Sequence, residues 1–481
     1  MENLLSWSTK ENLSDGVGKV KNENVLKIIE IINSCDQETR KRIEDDLVES
    51  IYQTATKITS RCVKKKKNGI IDFELKLDQL FTSRYFGFPI MLLLLTSVFF
   101  ITIKGANVPS KLIASGLFWF EEHLKSFFIL LNSPRWLTGF LVDGVYRSVA
   151  WVVSVMFPPM AIFFPIFTIL EDAGYLPRVA FNLDKLFKWA GAHGKQALTM
   201  GMGFGCNAAG VVSTRIIDSP RERLIAILTN NFVPCNGRWP LIIMLSSIFV
   251  AASFPASISS FAAAGTVLLI TLFGILITLL VSKFLSKTLL KGEPSAFKLE
   301  LPPYRKPQIL RILYTSFIDR TLFVLGRAVA MSAPAGGLIW ILGNVTLNGK
   351  TLMSYGVDFL QPVGKAIGLD GVILLAYIIA IPANEIIIPT IIMIYSSGSK
   401  MIDLELDQLK ELFIQNEWTV LTAICLMFFS LLHYPCSTTT WTIYKETRSV
   451  KWTVISNLLP LTIAFIVCFM VYRIGMLLIG S

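Results

Sequence analysis

The chain has 481 residues, of which 53% are hydrophobic and only 16% charged, whereas soluble domains carry about 25% charged residues. Its formal net charge is +11. The basic residues gather in short connections, such as Lys64 to Lys67 and Lys445 to Lys451, rather than among base-stacking aromatics. That distribution excludes a nucleic-acid surface and matches the cationic cytoplasmic flanks of membrane helices. Seven cysteines, most of them in apolar stretches, exclude a secreted-type disulfide framework.

Residues 1–84 read as a polar cytoplasmic arm, partly helical, without a signal-peptide pattern. Val25, Ile28, Ile29 and Ile32, and later Ile43, Leu47 and Ile51, recur at helical spacing. A first membrane half follows at 85–288, a polar connecting loop at 289–319 and a second membrane half at 320–481. Runs of about 20 apolar residues are long enough to cross a hydrocarbon core of about 30 Å. They lack strict alternation, so they predict helices and not barrel strands. The expected fold is all-α and polytopic, with about eight to ten transmembrane helices.

The first span is expected at 88–103. Residues 110–132 contain Glu121, Glu122, His123 and Lys125, which predicts a helix lying on the interface. Further apolar segments cover 145–170, a glycine-rich stretch at 195–217, a segment beginning near Leu224, and 261–287. The second half offers 321–343, 370–397, 418–444 and 452–478.

Four of these segments are interrupted, around 201–210, 234–240, 382–385 and 435–440, two in each half. Unwound backbone at membrane depth is tolerated only where protein or a wet cavity satisfies its polar groups. Paired broken helices in two halves point to a transporter's binding site, where freed carbonyls and helix ends meet a solute.

Cysteines stand at three of the breaks: Cys206 beside Asn207, Cys235 beside Asn236, and Cys436 beside Ser437 and Thr438. Thiolate sulfur suits soft and borderline metals. Glu385, with Asn384 beside it, is an acid within an apolar run, where a charge costs at least about 2.5 kcal/mol unless it faces a cavity, a partner or an ion. Met200 and Met202 flank the glycine-rich break. Cys425 and Cys468 lie in plain apolar runs and read as packing, as do most of the methionines. Glu171 and Asp172 read as an interfacial pair. His123, His193 and His433 form no ligand cluster, and only His433 lies near a break. No phosphate-cradling Gly-x-x-x-x-Gly-Lys-Ser/Thr motif is present, and no nucleophile–base pair stands out, so the chain reads as a permease and not an enzyme.

At these residues the chain resembles the membrane part of the bacterial ferrous iron transport protein B family. The resemblance rests on Leu170 to Arg178 (LEDAGYLPR), Gly203 to Asn207 (GFGCN) followed by Ser213-Thr214-Arg215, Glu300 to Arg305 (ELPPYR), Pro435-Cys436, and Lys445-Glu446-Thr447 before Lys451-Trp452. It runs from about residue 40 to the C-terminus. Ala383-Asn384-Glu385 departs from the family's Ala-Lys-Glu, and Pro234 to Arg238 matches its Ser-Cys-Ser/Gly-Ala-Arg loosely.

The resemblance implies two inverted Gate repeats and a multi-pass protein of the bacterial cytoplasmic membrane. It implies transport of a divalent metal, Fe(II), as substrate, along a path that includes Cys206, Asn207, Cys235 and Cys436, with Asn384 and Glu385 beside it. No cofactor is expected; GTP would act only through a separate GTPase subunit, with a small cytosolic regulator as a further partner and homo-oligomerisation left open. Two other readings stand beside it: a Gate-type carrier of nucleosides or other polar organic solutes, and a non-transporting membrane subunit.

Overall fold

The structure is a computed structural model that describes residues 37–62, 76–83, 85–291, 304, 307–396 and 406–479. The chain divides into two units, residues 1–73 and 74–481. In the first, α1 (Gln37–Cys62) is the helix expected from Ile43, Leu47 and Ile51. The stripe at Val25 to Ile32 and the four lysines at 64–67 lie outside the described residues.

The second unit opens with α2 (Gly87–Leu130), one helix of 44 residues. At 1.5 Å per residue it is about 66 Å long, twice the hydrocarbon thickness. The expected span at 88–103 and the expected interfacial helix at 110–132 are therefore one element. Two of the residues that suggested an interface are paired within the fold: Glu121 binds Lys125 at 3.0 Å and Arg147 at 2.9 Å, and Lys125 reaches Asp143 at 2.6 Å.

The elements after α2 occur twice in the same order. Each series starts with a long span containing a π-helical turn: α3 (Arg135–Asp172) with its turn at Gly139–Tyr146, and α10 (Ile309–Asn344) with its turn at Thr315–Leu322. A 15-residue amphipathic helix follows, α4 (Tyr175–Trp189) in the first series and α11 (Leu352–Ala366) in the second. Next comes a broken pair, α5 (Gln196–Gly205) with α6 (Asn207–Ser213), and α12 (Gly371–Ile379) with α13 (Asn384–Tyr395). A second broken pair is α7 (Pro220–Thr229) with α8 (Trp239–Ser253) in one series. Its counterpart is α15 (Val420–Leu432) with α16 (Ser437–Thr447). Each series closes on a long span, α9 (Ala256–Lys287) and α17 (Val450–Ile479). Between α13 and α15 the second series adds α14 (Leu406–Gln415). A hairpin of two-residue strands, Thr346–Leu347 and Lys350–Thr351, joins α10 to α11.

Six helices among the described residues are long and apolar enough to cross a membrane, or seven if α11 and α12, bent by 113°, count as one span. The chain is thus an all-α, multi-pass membrane protein. The count falls below eight to ten because segments such as α8 and α13 are too short to pass alone. The connecting loop is also shorter than the expected 289–319, since α10 begins at Ile309.

The two leading spans touch backbone to backbone. A Cβ placed on Gly336 of α10 would fall 2.3 Å from the carbonyl oxygen of Gly144 in α3. Small residues permit such close helix approach in lipid, where packing replaces the hydrophobic drive.

Candidate functional site

The four breaks lie where the interrupted segments were expected. At the first, Cys206 leaves the helix with φ −154°, ψ 123° between α5 and α6. At the equivalent point of the second series Ala383 has φ −153°, ψ 122°. The other two breaks separate α7 from α8 and α15 from α16, and place Cys235 and Cys436. Cys206 and Cys436 each stand immediately before the first residue of a half-helix.

The breaks satisfy one another's backbone. The Asn236 amide donates to the Gly205 carbonyl at 3.2 Å, and the Ser437 amide to the Ile381 carbonyl at 2.8 Å. Arg238, 1% exposed, ties the two series together. It donates to the carbonyls of Asn231 (2.7 Å) and Leu431 (2.8 Å), to Asn231 Oδ1 (3.0 Å), and to the carbonyls of His433 (3.1 Å) and Tyr434 (3.2 Å). Five neutral acceptors around a guanidinium are what make a buried arginine tolerable.

All six residues singled out in the sequence, Cys206, Asn207, Cys235, Asn384, Glu385 and Cys436, line the same cavity. Met156 and Met160 of α3 and Val324 and Ala328 of α10 complete its apolar side. Its volume is about 30 Å³, enough for a water-sized species, which needs at least about 10–15 Å³. The Cys436 sulfur lies 3.3 Å from Thr439 Oγ1. Glu385 reaches in over Gly237, where a Cβ would stand 2.4 Å from its Oε1. The Asn207 NH2 faces the carbonyls of Gly203 (3.1 Å) and Val233 (3.3 Å) and donates to them. Among the described residues no three His, Cys, Asp or Glu side chains are gathered closely enough to hold a metal together. The cavity thus brings sulfur, amide and carboxylate residues into one lining, and among the described residues they do not form an assembled metal centre.

The remaining sequence readings sort as follows. Cys425 and Cys468 are fully buried, and the Cys468 thiol donates to the Cys425 carbonyl at 3.3 Å. Met200 and Met202 pack in the core. Asp172 accepts from the Gln308 amide at 3.1 Å, just before α10. His433 is buried beside the cavity and contacts Asn384. Arg238, Asn230 and Asn231 support the breaks, and the sequence reading assigned them no role. The signal present was the polar run from Thr229 to Asn231, separated from Pro234 only by Phe232 and Val233.

The motifs that carried the resemblance also meet in space. Arg178 donates from Nε to Asp78 at 2.9 Å and stacks on Tyr304 at 4.1 Å, so LEDAGYLPR meets the one described residue of ELPPYR. Arg215 of the Ser-Thr-Arg run makes a two-bond pair with Glu446 of Lys-Glu-Thr, at 2.9 and 2.6 Å.

Comparison with known proteins agrees. Residues 153–249 match the Gate family, described as nucleoside recognition, and residues 267–319 match the ferrous iron transport protein B C terminus. The chain is 29% identical to the Fe(2+) transporter FeoB of Staphylococcus aureus, over 96% of this chain and 69% of the relative. The chain belongs to the ferrous iron transport protein B family. Another FeoB, from Campylobacter jejuni, is 28% identical over 93% of this chain and 71% of its own. In Porphyromonas gingivalis the relative is an Fe(2+) transport protein A/Fe(2+) transporter FeoB fusion protein, 28% identical over 88% of this chain and 54% of the fusion. The chain therefore spans between 54% and 71% of the length of these FeoB relatives. No solved structure matches it.

Proposed function

We propose that the chain is a permease for divalent metal, with Fe(II) as substrate, and that the ion passes the cavity between the breaks. One observation carries the reading: three cysteines from separate breaks, an acid and two amides, distant in sequence, face the same space. Sulfur, amide oxygen and carboxylate can replace the waters of a borderline divalent ion. Ligands spread along a path, not closed into a cage, let the ion leave again. The repeated element order supports a mechanism in which one repeat moves against the other around this point. The same features support a transport role.

The names of the relatives support the choice of iron, and the fusion relative supports a small cytosolic partner of the kind named transport protein A. A separate GTPase subunit would supply nucleotide-driven gating. A nucleoside would need a pocket of several hundred Å³, and the cavity of about 30 Å³ favours an ion over the organic-solute reading. The test is Fe(II) uptake into proteoliposomes, with and without a candidate GTPase. Cys206→Ser and Cys436→Ser should each lower uptake about tenfold or more at unchanged membrane abundance; undiminished uptake in both removes the thiol path.

A further inference from the structure

On the transport reading just given, we infer that His433 sets the orientation of the Asn384 side chain, so that its carbonyl oxygen and not its NH2 faces the cavity. His433 is fully buried. Its ring is enclosed by Tyr377, Phe429 and Tyr434. Nδ1 lies 2.8 Å from the Ser430 carbonyl and 3.2 Å from that of Phe429. Both are acceptors, so Nδ1 carries the hydrogen and donates. In the neutral ring, the ordinary form above about pH 7, Nε2 is then a bare acceptor. The atom placed 3.3 Å from that lone pair is Asn384 Oδ1, and the oxygen and nitrogen of an amide are assigned from their hydrogen bonds. An amide oxygen there would set lone pair against lone pair, so the NH2 occupies the position and donates to Nε2. Oδ1 must point the other way. Asn384 lines the cavity, and its oxygen is the atom left to face it.

The two cavity asparagines therefore differ. Asn207 turns its NH2 to the carbonyls of Gly203 and Val233, at 3.1 and 3.3 Å, and so braces the first break. Asn384 has its NH2 taken by His433 and offers oxygen to a cation. His433 is a positioning residue: it acts on the ion through Asn384.

The experiment measures Mn(II) and Cd(II) uptake down an imposed gradient into proteoliposomes holding the full chain. Mn(II) prefers oxygen ligands and Cd(II) sulfur. Asn384→Ala and His433→Phe should each raise KM for Mn(II) about tenfold or more and leave that for Cd(II) within about twofold. The double variant should be no worse than either single one, because both remove the same oxygen. His433→Gln, whose side-chain oxygen can accept from the Asn384 NH2, should recover most of the Mn(II) affinity. It also separates lost orientation from lost folding. Additive effects in the double variant, or equal loss for both ions, would overturn the inference and leave the permease standing. No uptake of either ion by the wild-type chain would overturn the transport reading itself.

Discussion

Glu385 keeps its place because Gly237 has no side chain. A Cβ on Gly237 would lie 2.4 Å from Glu385 Oε1 and 2.7 Å from Cδ, inside any allowed contact. The atoms displaced are the far end of a flexible side chain, so the carboxylate can swing away without disturbing helix packing. Gly237→Ala should therefore fold and reach the membrane at wild-type abundance, yet lose about tenfold or more in Fe(II) uptake, the range seen when a metal-facing group is misplaced. Uptake equal to wild type would mean that the carboxylate does not meet the ion. A fall in abundance matching the fall in uptake would make Gly237 a packing residue. In the sequence Gly237 reads as loop chemistry; only the structure shows that it makes room for an acid 148 positions later.

At the scale of elements, the four interrupted helices are braced by bonds across the breaks, from the Asn236 and Ser437 amides and from Arg238. In hydrocarbon an unpaired carbonyl has no water to turn to. Arg238 is the common donor, holding the carbonyls that end α7 and α15 in both series. Arg238→Met would keep the side chain's bulk and leave the Asn231 and Leu431 carbonyls without this donor, at about 1–3 kcal/mol for each buried acceptor left unpaired. The expected result is a lower melting temperature in detergent and a smaller folded fraction on size exclusion, before any question of transport arises. A variant that melts with wild type but has lost uptake would instead place Arg238 on the ion's route. The breaks themselves were legible in the sequence, because glycine, proline and asparagine in an apolar run have few other uses there. Their mutual support was not legible: Arg238 and Leu431 are 193 residues apart, and nothing in either local pattern announces the bond. The charges of α2 show the converse. Glu121 and Lys125 looked like an interface because charge in an apolar helix is costly alone, and their partners Asp143 and Arg147 belong to the next helix.

For the whole molecule, the cavity exists only where the two series face each other. The first series contributes Cys206 and Cys235, and the second contributes Cys436 with Asn384 and Glu385. The repeated order of elements was partly readable, as two breaks per half. The meeting of the halves depends on contacts such as Gly144 with Gly336, which no local period encodes. This shared origin makes thiol labelling a test of the whole arrangement. Cys62 is exposed on α1, Cys206 and Cys436 are part-buried, Cys235 is buried, and Cys425 and Cys468 are fully buried. With a membrane-permeant maleimide, Cys62 should react first and Cys425 and Cys468 only after denaturation, as read by peptide mass spectrometry. Cd(II), a thiophilic ion, should slow labelling of Cys206 and Cys436 and leave Cys62 untouched. A maleimide adduct is larger than the water-sized cavity of about 30 Å³, so an adduct gained at Cys206 when the cavity opens leaves no room for a second and should protect Cys436 in the same molecule. Intact-mass spectra of a variant carrying both Cys35→Ser and Cys62→Ser should then show a single cavity adduct for molecules labelled at either of these two sites. Doubly labelled molecules at the statistical frequency would place the two sulfurs in separate spaces, and the two series would then build two sites instead of one passage.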